Sequence, residues 1–377
     1  MQLSGLASIL LDLVSDSSPT VSPRSSAEPD WVREGLAFNA LGAALRRRYG
    51  GRVQRVSLDA GLTCPNVDGT VARGGCNFCD NRSFSPSRRV RLAKVRDQLL
   101  SGIQSVRRRY KNVCGFIAYF QPATNTYAPL DELEELFELA LRSHDQIRAL
   151  AVGTRPDCVP DPVLELLQDL ARRHDVSVEY GMQSARDESL RWMNRAHRHV
   201  DMINAVDRTR GRGIEIGSHV ILGIPDETHD DMMRSATELA ILGVDSIKIH
   251  NLYAVDGTPL GEQVRGGEVE MMSRNDYVRT VVDFLERCSP TAIIERISGD
   301  APPKYLIAPQ WCLEKSTLKR SIEEEFRRRG TRQGSRFVPP RIPPALRPRP
   351  ADATPDAIRR RIETRRRLPV LKLESLP

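Results

Sequence analysis

No run of eighteen apolar residues occurs anywhere in the 377-residue chain, so no segment is long enough to span a bilayer as one apolar helix. The segment 3–14 is short, lacks a basic start and contains Asp12, which makes it a poor signal peptide. It reads better as a frayed helix or as a start codon placed too early. Histidine is scarce, with seven residues and none before His144. Cysteine also numbers seven. An odd count with three thiols clustered argues against a disulfide framework and for reduced thiols in a cytoplasmic protein. Net charge is missing from most of the chain. Residues 335–377 hold ten Arg and one Lys against two Asp and two Glu, which accounts for the whole net charge of +7. The first 334 residues are therefore neutral overall, unlike a protein built around polyphosphate recognition. Nine of the 25 prolines also fall in that tail, which should be largely disordered. Its Arg359-Arg360-Arg361 and Arg365-Arg366-Arg367 runs read as a short basic helix, either an RNA contact through phosphates or a solvated appendage.

What the chain does have is a cysteine loop. Cys64, Cys76 and Cys79 lie within sixteen residues, with Gly61, Gly69, Gly74 and Gly75 among and before them. Structural zinc wants four Cys or His ligands. No histidine is near, and Cys114 falls in an apolar run that reads as a buried strand. Iron–sulfur clusters are held by cysteine thiolates, and a four-iron cube on three of them leaves one iron free for a small molecule. That arrangement is the signature of the radical S-adenosylmethionine (SAM) enzymes, although eleven residues between Cys64 and Cys76 depart from the commonest three-residue gap. Phe78, just before the last cysteine, fits the pattern and in such enzymes lies beside the adenine. A zinc knuckle completed from elsewhere, or unrelated buried thiols, are the alternatives.

Strand-like apolar runs at 53–58, 114–120, 147–152, 176–180, 214–222 and 246–252 alternate with helical patterns at 90–110, 130–142, 162–174, 200–212 and 229–242. Alternation of this kind predicts parallel strands with right-handed crossovers. Six units fall short of a closed eight. The expected fold is therefore α/β, a partial (β/α)6 TIM-like barrel with a helix-containing C-terminal extension and a disordered basic tail. Residues 1–37 read as an N-terminal extension and linker, 38–334 as the core with its extension, and 335–377 as the tail. In a barrel the chemistry gathers at the C-terminal ends of the strands. The segments at those ends are rich in polar side chains: Phe120 to Tyr127, Gly153 to Cys158, Val178 to Ser184, His219 to Thr228 and Lys248 to Asn251. His250 alone reads as a structural histidine.

Several of these segments together resemble the YhcC-type radical SAM proteins, a branch near the Elongator catalytic subunit. They are the cysteine loop, Thr124-Asn125-Thr126-Tyr127-Ala128-Pro129, Gly153 to Cys158, Glu179 to Ser184, Met193-Asn194-Arg195-Ala196-His197, Gly299-Asp300-Ala301-Pro302 and Leu306-Ile307-Ala308-Pro309. The likeness runs from about residue 38 to 334 in family order. Ala196 stands where the family usually has Gly, Pro122-Ala123 replaces a more usual Ala-Tyr, and the tail is extra. The resemblance implies a [4Fe-4S] cluster on Cys64, Cys76 and Cys79, with SAM as the second cofactor. One electron would split SAM into methionine and a 5′-deoxyadenosyl radical that removes a substrate hydrogen. It further implies Gln121, Thr124 and Asn125 at the methionine end, Phe78 and Gly223 beside adenine, and Glu179 and Arg195 in the carboxylate and ribose region. Glu179 has a rival reading as the partner of Arg155. A reductant such as flavodoxin or ferredoxin and a tRNA substrate, modified on the wobble uridine side chain, are the partners it implies. A small-molecule radical enzyme and a SAM-binding sensor without turnover are the other readings. The remaining cysteines, Cys114, Cys158, Cys288 and Cys312, are too scattered for an auxiliary cluster and read as buried thiols.

Overall fold

The structure is a computed structural model and describes residues 28–80 and 94–340. The basic tail beyond residue 340 and the segment 1–27 lie outside the described residues. Seven parallel strands form one sheet in sequence order: β1 (Arg52–Leu58), β2 (Val113–Phe120), β3 (Ile147–Thr154), β4 (Asp175–Gln183), β5 (Glu215–Leu222), β6 (Ser246–Asn251) and β8 (Ile293–Arg296). Helices Val95–Arg109, Leu130–Arg142, Asp161–Ala171, His199–Thr209, His229–Leu242 and Arg274–Arg287 supply the crossovers. A two-residue strand, β7 (Ala254–Val255), pairs antiparallel with β9 (Leu306–Ala308) outside the sheet.

The six expected strands are all present, and β8 is a seventh. It was missed because Ile293-Ile294-Glu295-Arg296 is four residues long and half charged. Of its two charges, Glu295 belongs to the inner face of the curled sheet, while Arg296 is exposed.

Period-two alternation sorts each strand into two faces. Val56 and Leu58, Phe116 and Phe120, Val176, Val178 and Tyr180, and Ile247 and Ile249 turn outward into a core shared with the crossover helices. Fully burying a side chain of this size contributes roughly 1.5–3 kcal/mol. The intervening positions turn inward. At the bottom of the half-barrel they are apolar (Val53, Ile117, Ala149) and pack against Leu45 of the helix Leu41–Tyr49, which plugs that end. Toward the C-terminal ends they become polar, and there the sheet stops being a core and becomes a wall.

Packing reaches beyond the expected core of 38–334 on both sides. Trp31 is buried and its indole N–H donates to the Pro290 carbonyl. Arg336 donates its backbone N–H to Glu286 O and its guanidinium pairs with the fully buried Glu286 carboxylate. A buried carboxylate requires such partners, and they draw the chain across the helix Arg274–Arg287.

Candidate active site

A cavity of about 620 Å³ opens at the C-terminal ends of the strands. Cys64, Cys76 and Cys79 lie on its wall, with Phe78 beside them. Gln121, Thr124, Glu179 and Arg195 also line it. Asn125 and Gly223 do not. Asn125 is turned away, its side-chain amide donating to the Gly153 carbonyl at 2.9 Å, so it braces the end of β3. Gly223 adopts φ +85°, and a Cβ there would meet Met272 Cβ at 3.4 Å, so its close neighbour is a methionine.

Glu179 is not the partner of Arg155. Arg155 is buried and forms a two-pronged pair with Asp157 at 3.0 Å, while its Nη2 also donates to the Arg195 carbonyl at 2.7 Å. Two residues of separation bring Asp157 within reach, whereas Glu179 points into the inner layer of the barrel. There it accepts from Tyr119 Oη at 2.8 Å, His219 Nε2 at 2.7 Å and Lys248 Nζ, and it pairs with Arg55 at 2.8 Å. Glu295 completes the layer through Arg55 and Lys248. Burial alone would raise the Glu179 pKa, but Arg55, Lys248 and His219 hold it well below the usual carboxylate range. Burial lowers the His219 pKa, with Lys248 adding to the effect against the pull of Glu179, and burial places His250 well below the ordinary imidazole value. The two imidazoles face each other across 5.7 Å and line the cavity. His250 is thus a wall residue of the site. Sequence reading missed Arg55, Tyr119, His219, Lys248 and Glu295 as a group, although each stands at an inward position of its strand.

The residues present fit a cluster and a polar cofactor better than a single metal ion. Among the described residues no three His, Cys, Asp or Glu side chains converge closely enough to hold one ion. Cys114 is remote from the loop, in contact with the Tyr49 carbonyl. Six buried polar atoms on residues of the cavity wall have no hydrogen-bond partner: Arg55 Nε, Asn66 Oδ1, Thr124 Oγ1, Arg155 Nη1, Arg195 Nε and His250 Nε2, besides Glu179 Oε1, which is held only by its ion pair with Arg55. Orphaned polar atoms at one place mark where a polar ligand is missing.

Residues 69–239 match the Radical SAM superfamily and residues 244–328 match the Radical_SAM C-terminal domain. YtqA of Bacillus subtilis is 38% identical over 80% of this chain and 92% of its own length. YhcC of Escherichia coli K12 is 34% identical over 81% and 97%. The chain belongs to the YhcC and YtqA family of radical SAM proteins. It is a radical SAM enzyme, and its cofactors are a [4Fe-4S] cluster and SAM. A tRNA uridine(34) acetyltransferase of Methanocaldococcus infernus is similar over a shorter stretch, 25% identical across 53% of this chain and 37% of that protein. The solved structure of the archaeal Elp3 from the same organism shares the fold, with a TM-score of 0.56 at 17% identity, covering 76% of this chain and 65% of that one. Among the described residues no helix is long and apolar enough to cross a membrane.

Proposed function

We propose that Cys64, Cys76 and Cys79 hold the cluster, and that the substrate is a tRNA modified on its wobble uridine. The observation that carries the site assignment is the meeting of three thiols and several orphaned buried polar atoms, Asn66 Oδ1, Thr124 Oγ1 and Arg155 Nη1 among them, in one cavity. When bound, the two cofactors supply an electron to the SAM sulfonium and a 5′-deoxyadenosyl radical that takes a hydrogen atom from the substrate. The chain's own residues bind and orient. Gln121, Thr124 and Asn66 offer hydrogen bonds near the thiols, and Phe78 offers an apolar face. Glu179 and Arg195 lie on the same wall, Glu179 deeper and committed to Lys248 and Arg55. Asn125 and Gly223 act one step back, bracing Gly153 and packing on Met272.

The tRNA reading is supported by the tRNA-acting relative and by the positive charge that the sequence confines to the tail. In that reading the neutral barrel performs the chemistry, while the tail recruits RNA through phosphates, and flavodoxin or ferredoxin supplies the electron in the cytoplasm. Two measurements test it. Reconstituted protein with a strong reductant should release 5′-deoxyadenosine from SAM, slowly, without any substrate. Nucleosides of tRNA from cells with and without the gene should differ at the wobble uridine. An unchanged profile, with equal RNA binding by full-length protein and protein ending at Pro340, overturns the tRNA reading and moves the substrate to a small molecule. SAM binding without cleavage under any reductant would make the protein a sensor.

A further inference from the structure

The sulfur of Cys76 accepts an N–H group from Arg195 Nη1 at 3.5 Å, and Asn66 Nδ2 lies at the same distance from it. Cys76 is also the buried member of the three cysteines. The aim of Arg195 is built into its backbone. Asn194 and Ala196, on either side of it, have φ +52° and +54°, in the left-handed region that a side chain with a Cβ rarely adopts. Several braces hold this turn. Asn66 Nδ2 donates to the carbonyls of Asn194 at 2.6 Å and Arg195 at 3.1 Å. Arg155 donates to the Arg195 carbonyl from the other side. Asn194 Nδ2 reaches back to the Arg73 and Gly75 carbonyls of the cysteine loop. Arg195 Nη2 is anchored on the Gly181 carbonyl at 3.2 Å, and a Cβ at Gly181 would lie 2.9 Å from that nitrogen. Strain of this kind persists only where the surroundings over-determine it, and it gathers at functional sites.

From this geometry we infer that Arg195, held in place by Asn66, sets the reduction potential of the cluster through the Cys76 sulfur. It is a positioning residue that acts through a ligand and need not touch SAM or substrate. The inference rests on the assignment of Cys76 as a cluster ligand proposed above. One added electron makes the cluster one charge more negative. N–H donors on a ligating sulfur, and a fixed positive charge beside it, favour that reduced state. The effect falls on the buried cysteine, where solvent screens charge least.

The test is an EPR-monitored redox titration of anaerobically reconstituted full-length protein, with iron and sulfide counted on the same samples. Arg195→Met, which keeps much of the side-chain volume without charge or donor, should lower the midpoint potential. Arg195→Lys, which keeps the charge, should return most of the way to the parent value. Equal potentials in fully loaded parent and Arg195→Met protein overturn the inference and leave the cysteine assignment standing. A parent protein that takes up no cluster overturns both. Should Arg195→Met fail to fold or load, the parent protein still decides. With arginine labelled in its guanidino nitrogens by 15N, the reduced cluster should show a 15N hyperfine coupling by pulsed EPR that disappears in Arg195→Lys. A fully loaded parent without that coupling overturns the inference.

Discussion

Arg55 on β1 and Glu295 on β8 are joined by two parallel hydrogen bonds of 2.7 and 2.8 Å, and those strands are the two edges of the sheet. The pair therefore draws the open sides of the half-barrel together across its interior, where both side chains are largely removed from water. A two-pronged guanidinium–carboxylate pair fixes direction as well as distance.

Breaking that pair from one side should be costly. Arg55→Met leaves Glu179 and Glu295 buried with one cation fewer, and the loss of stability should be about 3–5 kcal/mol. Arg55→Met combined with Glu295→Leu should recover a large part of it, because a buried pair replaced by packed apolar groups is often neutral. Urea unfolding of the single and double variants measures both. A single variant as stable as the parent would show that the pair does not hold the edges.

Acid should weaken the fold in two stages. His250 and His197 are held well below the ordinary imidazole value by burial, so below about pH 6.5 the unfolded chain binds protons that the folded chain refuses. Stability from these groups is complete above that pH and declines as pH falls. Glu179, whose folded pKa is depressed by Arg55 and Lys248 against its burial, contributes stability that is complete above about pH 4.3 and is lost as pH falls further. Unfolding midpoints should be flat above neutrality, fall below about pH 6.5, and fall more steeply below about pH 4.3. A constant midpoint from neutrality into the acid range would contradict this.

The main sheet was legible because its outward positions are apolar at period two and its helices carry apolar stripes. The inner layer was harder to read. Arg55, Lys248 and Glu295 each look like surface residues, and only the curling of the sheet, which brings its edge strands β1 and β8 across from each other, shows that they meet. Polar residues confined to one face of an otherwise apolar strand, as with Ser177, Glu179 and Gln183 on β4, are the signal that could have found them. Arg195 and Asn66 were harder still, because their partnership with Cys76 depends on a turn with two left-handed residues that no periodicity encodes.

Gly102 sits inside the helix Val95–Arg109, where alanine ordinarily gains up to about 1 kcal/mol. Here a Cβ would lie 2.3 Å from Val56 Cγ1, a stiff β-branched side chain on β1. Gly102→Ala should therefore destabilise by about 1–2 kcal/mol, the overpacking cost exceeding the helical gain. Pairing it with Val56→Ala should remove the clash but open the β1 packing, so the two changes should couple in a double-mutant cycle. A thermal melt showing Gly102→Ala more stable than the parent would refute the close helix–strand contact.

Ala196 pays for its left-handed conformation with its Cβ. Ala196→Gly should raise stability by about 1 kcal/mol, since glycine adopts that backbone freely. The cysteine loop should be undisturbed, and iron uptake should equal that of the parent. A loss of stability by denaturant titration would mean that position 196 is not left-handed in solution.

The most direct measurement is metal content after anaerobic reconstitution, in the parent and in Cys64→Ala, Cys76→Ala, Cys79→Ala and Cys288→Ala. The account predicts about four iron and four sulfide per chain in the parent and in Cys288→Ala, whose thiol is buried in the core away from the cavity, and loss of the intact cluster in each of the other three. Stoichiometric zinc without iron, or a full cluster that survives removal of any of the three loop cysteines, would contradict it.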